Sequence, residues 1–447
     1  MALKYPLLLL LLLTITSPLF FFKLGQSSLV SFDEAWYAEI AKQLLYTGTP
    51  FSLNFNSQPF VDHPPAGFWL IASTQTIFGI NEFGSRSAGA VAGLLVLAVI
   101  FIFGSLLFHP VVGFSSAIAL ASSPWFIYRA RSANLDIFLT LFFLTTLLLG
   151  FISIKKPKYL GAFIAILTVL LLTKTASPFT IFPALLFLYW RSPLIRTPRF
   201  KFLVVLSGII LSSYFLIQLI NVPGFLGRLL FVGAPKVGGA TLFTNINLVK
   251  TYLHLGLGAW FKPAILSLPL LLLFRKKKYL YILISLLSFI FPFTLSPKTQ
   301  IWHLIPAHPL MILIAIGLVF TLINKFSKRM AIFLTLILTL TISVPQIKKN
   351  WFEFIDIPAF ISDEAILSKA ASPYPYPLVI DENFLPAAVF YSGKKVSWNS
   401  SRDLSTFVLD NQDTLVITHL WRLNEPAPDK YQIIATDRDK ILILYSK

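Results

Sequence analysis

The feature that most constrains this chain is a series of long apolar runs covering its first 345 residues. Each run approaches the roughly 20 residues that a helix needs to cross a bilayer. Hydrophobic residues make up 56% of the chain, and charged residues only 13%. The sequence therefore predicts an α-helical polytopic membrane protein. We place about eleven spans, at residues 5–22, 85–107, 111–127, 134–154, 159–173, 177–190, 201–221, 253–274, 279–295, 301–323 and 330–345.

Basic residues mark alternate loops between these predicted spans. If the N-terminus is cytoplasmic, the inner loops contain many cations and no acid. The positive-inside rule then fixes the remaining loops as extracytoplasmic, in a plasma (inner) membrane. The first run lacks a cleavage site before Asp33, so we expect an uncleaved span rather than a signal peptide. The inner cations are Lys4, Lys155, Lys156, Lys158, Arg191, Arg196, Arg199, Lys201, Arg275, Lys276, Lys277, Lys278, Lys325, Lys328 and Arg329.

Acidic residues are scarce in the predicted membrane part. The topology puts them in the first outer loop, residues 23–84, or at the outer end of the fourth span. Ionisable groups retained in such a protein indicate a functional site. The net charge of +18 reflects the inner loops and anionic lipid headgroups rather than nucleic acid. The six acids before residue 353 are Asp33, Glu34, Glu39, Asp62, Glu82 and Asp136.

Residues 346–447 differ in kind from the rest. YPLVIDENFLPAAVFYSGKKVSW is typical of a strand, a short helix and a strand, and TLVITH, YQIIATD and ILILYS of further strands. SSRDLSTFVLDN predicts a capped helix between them. We therefore predict two domains, a transmembrane domain at 1–345 and a small α/β domain at 346–447. An odd number of spans makes the second domain extracytoplasmic.

Four motifs follow one another along the chain: FDEAWY at 32–37, NSQPFVDHPP at 56–65, LLTKTASPF at 171–179 and SPKTQIWHLIPAHPL at 296–310. Together with RARSANLD, which ends at Asp136, they resemble bacterial glycosyltransferases related to protein O-mannosyltransferase and to the aminoarabinose transferase of lipid A. The resemblance implies the GT-C fold. It also implies an inverting transfer of a monosaccharide from a polyprenyl-phosphate carrier to an acceptor hydroxyl outside the membrane, on a protein, lipid or glycan.

The resemblance also implies roles for particular residues. Asp33 is the expected catalytic base. Asp136, the second catalytic candidate, would position the acceptor, orient Arg131 or join a metal site. The expected substrate-binding residues, several of them cations suited to a phosphate, are Glu34, Trp36, Tyr37, His63, Arg131, Lys174, Arg228, Lys236, Lys298 and His303.

Two positions depart from the family pattern. His63 stands where the family has Lys, and Trp36 stands where aminoarabinose transferases have Arg. Both changes count against aminoarabinose as the donor sugar. Because histidine is neutral much of the time at pH 7, another cation is expected to compensate. Asp62 and His63 also supply oxygen and imidazole donors, which makes a divalent metal a candidate cofactor; the chain has no cysteine for a thiolate site.

Several structural explanations compete with these roles. Ser31 and Glu34 have the spacing of a capping box, and Glu82 and Arg86 that of a helix-start ion pair. Asp136 has Arg129 and Arg131 as potential structural partners. For the whole chain, the alternatives are a transporter or flippase of lipid-linked sugars, or a non-enzymatic binder of them. Against the transporter, the sequence shows no internal repeat and no acid between Asp136 and Glu353.

Overall fold

The computed structural model describes residues 5–231, 242–271, 274, 276–296, 298–381, 385–398, 413–424 and 431–445. Lys4, Lys236 and Arg275 lie outside these residues. The chain divides into two compact units. The helical unit comprises Met1–Lys23, Val61–Gly67 and Ser87–Ile357, and the mixed unit comprises Leu24–Phe60, Phe68–Arg86 and Pro358–Lys447. The predicted domain boundary at residue 345 stays a prediction.

Helices account for nearly all of the helical unit, and apolar sequence explains their lengths. Their bounds are α1 Pro6–Phe21, α4 Glu82–Leu107, α5 Pro110–Ala121, α6 Pro124–Ala130, α7 Asp136–Lys155, α8 Leu160–Leu171, α9 Phe182–Tyr189, α10 Pro198–Asn221, α11 Phe225–Phe231, α12 Leu242–Leu257, α13 Phe261–Leu271, α14 Lys277–Thr294, α15 Ala307–Ile323 and α16 Lys328–Asn350. Two further helices, α2 Asp33–Thr47 and α3 Ala66–Phe78, lie wholly or mostly in the mixed unit.

Five of the described helices are individually long and apolar enough to cross a membrane: α4, α7, α10, α14 and α16 with its continuation to Ile355. The pair α5 and α6 passes the same test as one span bent by 74°. Shorter apolar helices cover Pro6–Phe21, Pro157–Leu171, Ser177–Tyr189 and Ala307–Ile323. The protein is therefore a multi-pass membrane protein, and the number of eleven spans stays a prediction.

One predicted span has a different form in the structure. The apolar run 253–274 is interrupted by a short 3-10 turn at Gly258–Trp260, which separates α12 from α13. Gly258 has a φ of +59°, a left-handed conformation that glycine adopts at little cost. Hydropathy records the run of apolar side chains but not this change in backbone direction.

The C-terminal part of the mixed unit is an α/β fold with a five-stranded sheet, as predicted. Its strands are β3 Leu378–Ile380, β4 Val396–Trp398, β5 Thr414–His419, β6 Tyr431–Asp437 and β7 Lys440–Tyr445, in the order β4-β3-β5-β7-β6. Strand β3 is parallel to β4 and β5, whereas β7 is antiparallel to both β5 and β6. The predicted helix in SSRDLSTFVLDN lies outside the described residues.

Helices α17 (Asp363–Ala371) and α18 (Pro386–Ser392) supply apolar side chains that form a core with β3, β5 and β7. Leu378, Ile380 and Leu415 are fully buried in this core. A two-stranded hairpin, β1 Asn54–Phe55 and β2 Gln58–Pro59, belongs to the same unit. Asn56 in its turn exchanges two hydrogen bonds with the backbone of Val396. The hairpin of the first predicted loop is thereby anchored to the sheet.

Candidate active site

Asp136 is the first residue of α7, and the sequence before it explains why the helix starts there. The side-chain oxygen of Asn134 accepts hydrogen bonds from the backbone N–H groups of Asp136 at 2.9 Å and Ile137 at 3.3 Å. Asparagine is a favoured residue for satisfying the unpaired N–H groups of a helix start. The Asp136 side chain is only 1% exposed. A buried carboxylate is costly unless cations pair with it.

Two cations share this carboxylate. Lys174 donates from Nζ to Asp136 Oδ1 at 2.5 Å, and Arg129 donates from Nη2 to Oδ2 at 2.8 Å. Both cationic side chains are buried, and the Arg129 guanidinium lies over the Trp302 ring, 5.2 Å from its centroid. The ring face attracts the cation and holds it in place. The three ionised groups together have a charge of +1, which suits an anionic ligand such as a phosphate.

His63 lies beside this cluster and is neutral. Burial, followed by the positive charge of Lys174, lowers the pKa of His63 to about 3. The Thr175 hydroxyl donates its proton to the backbone oxygen of Asp62. Its oxygen therefore accepts from Nδ1–H of His63, 3.3 Å away, which places the imidazole proton on Nδ1. His63 supplies no positive charge at pH 7, and Lys174 and Arg129 are cations in the same cluster.

A metal site at Asp62 and His63 gains no support from the geometry. In the part of the chain that the structure describes, no group of three His, Cys, Asp or Glu residues is arranged to hold a metal. Burial raises the pKa of Asp62, while the positive charge of Arg228 opposes that rise. Two donors fall short of the four to eight that divalent metals usually take. A divalent metal at Asp62 and His63 is therefore not established.

The other predicted cations of the helical unit lie at several places. His303 is close enough to Asp136, Lys174 and Arg129 for their charges to act on it, and Arg228 is close enough to act on Asp62. Arg131 donates to the backbone oxygens of Leu19 at 3.1 Å and Phe22 at 2.8 Å, at the end of α1. Lys298 is exposed and makes no ion pair within the part of the chain that the structure describes. Arg228 is exposed on α11. His303 accepts at Nδ1 from the backbone N–H of Gln300 and closes a capping box at the 3-10 turn before α15.

Four candidates lie on α2 in the mixed unit. Asp33 is its first residue and is half-buried. The Trp36 ring lies 5.0 Å from that of Phe55, centroid to centroid, and Tyr37 packs edge-on against Phe68 at 5.5 Å. Both aromatic side chains therefore pack against phenylalanine rings of the same unit. The substrate-binding roles of Trp36 and Tyr37 stay predictions.

Glu34 makes a clear structural contact. Its carboxylate accepts from Arg86 Nε at 2.8 Å and Nη2 at 3.0 Å, and also from the backbone N–H of Val30. The same guanidinium donates to the backbone oxygens of Leu24, Ser27 and Ser28. This bidentate pair therefore fastens the segment before α2 to the start of α4. Glu34 thus has a structural role, and its substrate-binding role stays a prediction.

Two structural predictions for this region are wrong. The Ser31 hydroxyl accepts from the backbone N–H of Ala387, and Phe32 occupies the N-cap of α2 without a side-chain cap, so no Ser31–Glu34 capping box forms. Glu82 does not pair with Arg86. It accepts instead from the Tyr391 hydroxyl at 2.9 Å and from Lys369 at 3.3 Å.

Sequence reasoning treated Arg129 only as a structural partner and overlooked Thr175 and Trp302. Arg129 and Arg131 are two residues apart, so the sequence cannot say which one faces Asp136; the helical turn of α6 decides for Arg129. Thr175 follows Lys174 in the LLTKTASPF motif, and Trp302 precedes His303 in SPKTQIWHLIPAHPL. The only sequence signal for Thr175 and Trp302 was that each is adjacent to a predicted site residue.

Part of this chain is similar in sequence to known proteins. The family model for dolichyl-phosphate-mannose-protein mannosyltransferase matches residues 62–217. An undecaprenyl phosphate-alpha-4-amino-4-deoxy-L-arabinose arabinosyl transferase of Pseudomonas savastanoi pv. phaseolicola is 37% identical over 23% of this chain and 20% of its own. A second, from Pseudomonas fluorescens Pf0-1, is 37% identical over 25% of this chain and 21% of its own. The matched segment thus spans about a fifth of these relatives.

Solved structures extend the likeness over the whole fold. ArnT from Cupriavidus metallidurans in the apo state has a TM-score of 0.76 at 16% identity, covering 97% of both chains. The same protein bound to undecaprenyl phosphate has a TM-score of 0.75 at 15% identity, covering 99% of this chain and 98% of its own. An Archaeoglobus fulgidus oligosaccharyltransferase with Zn and sulfate reaches 0.56 at 12% identity, over 86% of this chain and 62% of its own. The solved structures show that this chain has the fold of ArnT, and the family model matches about a third of its length.

Proposed function

We propose that this protein is an integral-membrane inverting glycosyltransferase that moves a monosaccharide from a polyprenyl-phosphate carrier to an acceptor hydroxyl. The positive-inside pattern assigns its acidic loops to the extracytoplasmic side of the inner membrane. The donor is a polyprenyl-phosphate-linked sugar, and the acceptor is a hydroxyl of a protein, lipid or glycan. The arabinosyl transferase relatives and the undecaprenyl phosphate bound to ArnT support a donor of this class.

The observation that carries this proposal is the buried cluster of Asp136, Lys174 and Arg129. A departing polyprenyl phosphate develops negative charge as its bond to the sugar breaks. Fixed cations in a site shielded from water stabilise such charge strongly, because little reorganisation is needed when the reaction occurs. Asp136 holds both cations in place, and their combined excess of one positive charge remains for the phosphate.

Asp33 is the proposed base of the reaction. As the acceptor oxygen attacks the anomeric carbon, its proton passes to the Asp33 carboxylate, and the bond from that carbon to the phosphate oxygen breaks. The phosphate leaves with the electron pair, and a single displacement inverts the anomeric centre. A carboxylate has an ordinary pKa of about 3.9 and is a weak base for a sugar hydroxyl, so the proton moves late. Stabilisation of the leaving phosphate must supply much of the acceleration.

The test is transfer by the purified protein in lipid nanodiscs. It is incubated with undecaprenyl-phosphate aminoarabinose and with polyprenyl-phosphate hexoses, each with a lipid, a peptide and a glycan acceptor. We expect release of the carrier phosphate and a sugar-modified acceptor for one donor, and neither for Asp33→Asn. Carrier binding without turnover for every donor would instead favour a non-enzymatic binder. Movement of the intact donor across vesicles would favour a flippase.

A further inference from the structure

The chain bends sharply just before α6, the helix that contains Arg129. Helix α5 ends at Ala121, α6 begins at Pro124, and the two are bent by 74°. Pro124 has no N–H to continue the α-helical ladder, so the bend releases backbone groups from the helix. Ser122 and Ser123 at the break are fully buried. Released backbone groups at membrane depth must find other partners within the protein.

Two amide side chains on α16 supply those partners. Gln346 Nε2 donates to the backbone oxygen of Ser122 at 2.6 Å, and Asn350 Nδ2 donates to the same oxygen at 2.8 Å. Gln346 and Asn350 are four residues apart and so lie on one face of α16. Both are buried. A single carbonyl at the bend is therefore clamped by two donors.

Gln346 also binds a second break. Its Nε2 donates to the backbone oxygen of Leu257 at 3.0 Å, and its Oε1 accepts from the backbone N–H of Ala259 at 2.5 Å. Those groups flank Gly258, the residue that follows the end of α12. A Cβ at Gly258 would lie 2.5 Å from Gln346 Oε1, so only glycine admits the amide this closely. All three hydrogen bonds of Gln346 thus go to backbone groups at two helix breaks.

A direct contact joins the same two breaks. The Ser123 hydroxyl donates to the backbone oxygen of Gly256 at 2.7 Å. Since its proton is used there, the 3.3 Å contact with His308 Nδ1 has the imidazole as donor. Trp260, fully buried beyond the second break, donates from its indole to Ser343 Oγ on α16 at 3.1 Å. Polar contacts to α16 and α15 therefore surround the bend.

We propose that Gln346 is a positioning residue for the candidate active site: by clamping the two breaks, it sets the direction of α6 and thus the position of Arg129 beside Asp136. Arg129 lies six residues after Ser123, about 9 Å along the helix. A small change in the bend angle at Ser122 would displace its guanidinium from Asp136 and Trp302. Loss of fixed geometry around a transition state reduces rate even when the fold survives.

The activity test is a double-mutant cycle, and it rests on the proposed function. Gln346→Met keeps the length of the side chain and removes all three hydrogen bonds; we expect turnover to fall at least tenfold. Arg129→Met alone also lowers turnover, and adding Gln346→Met to it should change the rate less than threefold, because the arginine to be positioned is gone. Losses that multiply in the double variant would overturn the proposal. Thr339→Val, a buried site on α16 whose hydroxyl donates within its own helix, is the matched control.

A second measurement does not depend on activity. The chain has no cysteine, so a spin-label pair can be introduced at Tyr128→Cys on α6 and Ile337→Cys on α16, both exposed. We expect the distance distribution between the labels to shift or broaden in Gln346→Met and, to a smaller extent, in Asn350→Leu, but not in Thr339→Val. An unchanged distribution in Gln346→Met would refute the positioning role. Absence of sugar transfer by the wild type would refute only the proposed function.

Discussion

Lys174 and Asp136 are joined by a 2.5 Å hydrogen bond although 38 residues separate them in the chain. The two residues belong to different helices: Asp136 is the first residue of α7, and Lys174 follows the end of α8. The contact brings together two of the sequence-predicted site residues and leaves the shared carboxylate between two cations.

Substitution Lys174→Met should reduce sugar transfer by about 100- to 1,000-fold, because one fixed cation next to the leaving phosphate is lost. It should also lower the free energy of unfolding by about 1–3 kcal/mol, since Asp136 keeps only one of its two cationic partners. Turnover assays and thermal melting in nanodiscs measure the two effects. Lys262→Met, at an exposed lysine of α13, serves as the control and should match the wild type. Full activity of Lys174→Met would contradict the proposed role of Lys174 in stabilising the leaving phosphate.

Asp33 and Glu34 are neighbours with opposite expected phenotypes. Asp33→Asn should abolish transfer by at least 1,000-fold while leaving the melting temperature almost unchanged, because the side chain is half-buried at a helix start. Glu34→Gln should destabilise the mixed unit by about 3 kcal/mol, because it leaves Arg86 buried without its bidentate partner. Melting curves and initial rates of both variants separate the roles. A stability loss in Asp33→Asn as large as that in Glu34→Gln would count against a catalytic role.

His63 should make the protein less stable in mild acid. Burial and Lys174 lower its pKa from 6.5 to about 3, so as the pH falls below 6.5 the unfolded chain binds a proton that the folded protein does not. The stability present at pH 7 is therefore lost progressively towards pH 3. The melting temperature of His63→Gln should fall less than that of the wild type between pH 7 and pH 5. His419→Gln, in the five-stranded sheet, is the control; equal falls in His63→Gln and wild type would contradict a neutral His63.

The absence of cysteine allows a direct test of sidedness. Ser57→Cys in the first hairpin and Lys156→Cys after α7 are both exposed positions. In intact cells, a membrane-impermeant maleimide should label Ser57→Cys but not Lys156→Cys, and both should react after lysis. Labelling of Lys156→Cys alone would show that the topology is reversed. Labelling of both positions from outside would contradict the predicted topology, on which the extracytoplasmic site depends.

Sequence alone determined the class of the protein. The apolar runs predicted helices, since a bilayer forces the backbone to satisfy its hydrogen bonds within each segment. Short segments rich in β-branched residues near the C-terminus predicted strands β3 to β7, because such side chains favour an extended backbone. The scarcity of acids indicated six carboxylates, and the resemblance to glycosyltransferases selected Asp33 and Asp136 among them. Each of these features is local, or depends only on composition.

Tertiary structure alone decided which groups meet. Two-residue spacing left Arg129 and Arg131 equivalent as partners of Asp136, and only the bend before α6 and the turn of that helix aim Arg129 at it. Helix α12 ends at Leu257, and the left-handed Gly258 that follows lets Gln346 approach the backbone, which hydropathy does not record. Glu34 pairs with Arg86 instead of forming a capping box with Ser31. A guanidinium that donates two hydrogen bonds stabilises a buried carboxylate strongly, and the sequence spacing of Ser31 and Glu34 does not reveal this contact. Contacts between residues far apart in the chain depend on packing, and packing is a property of the folded molecule.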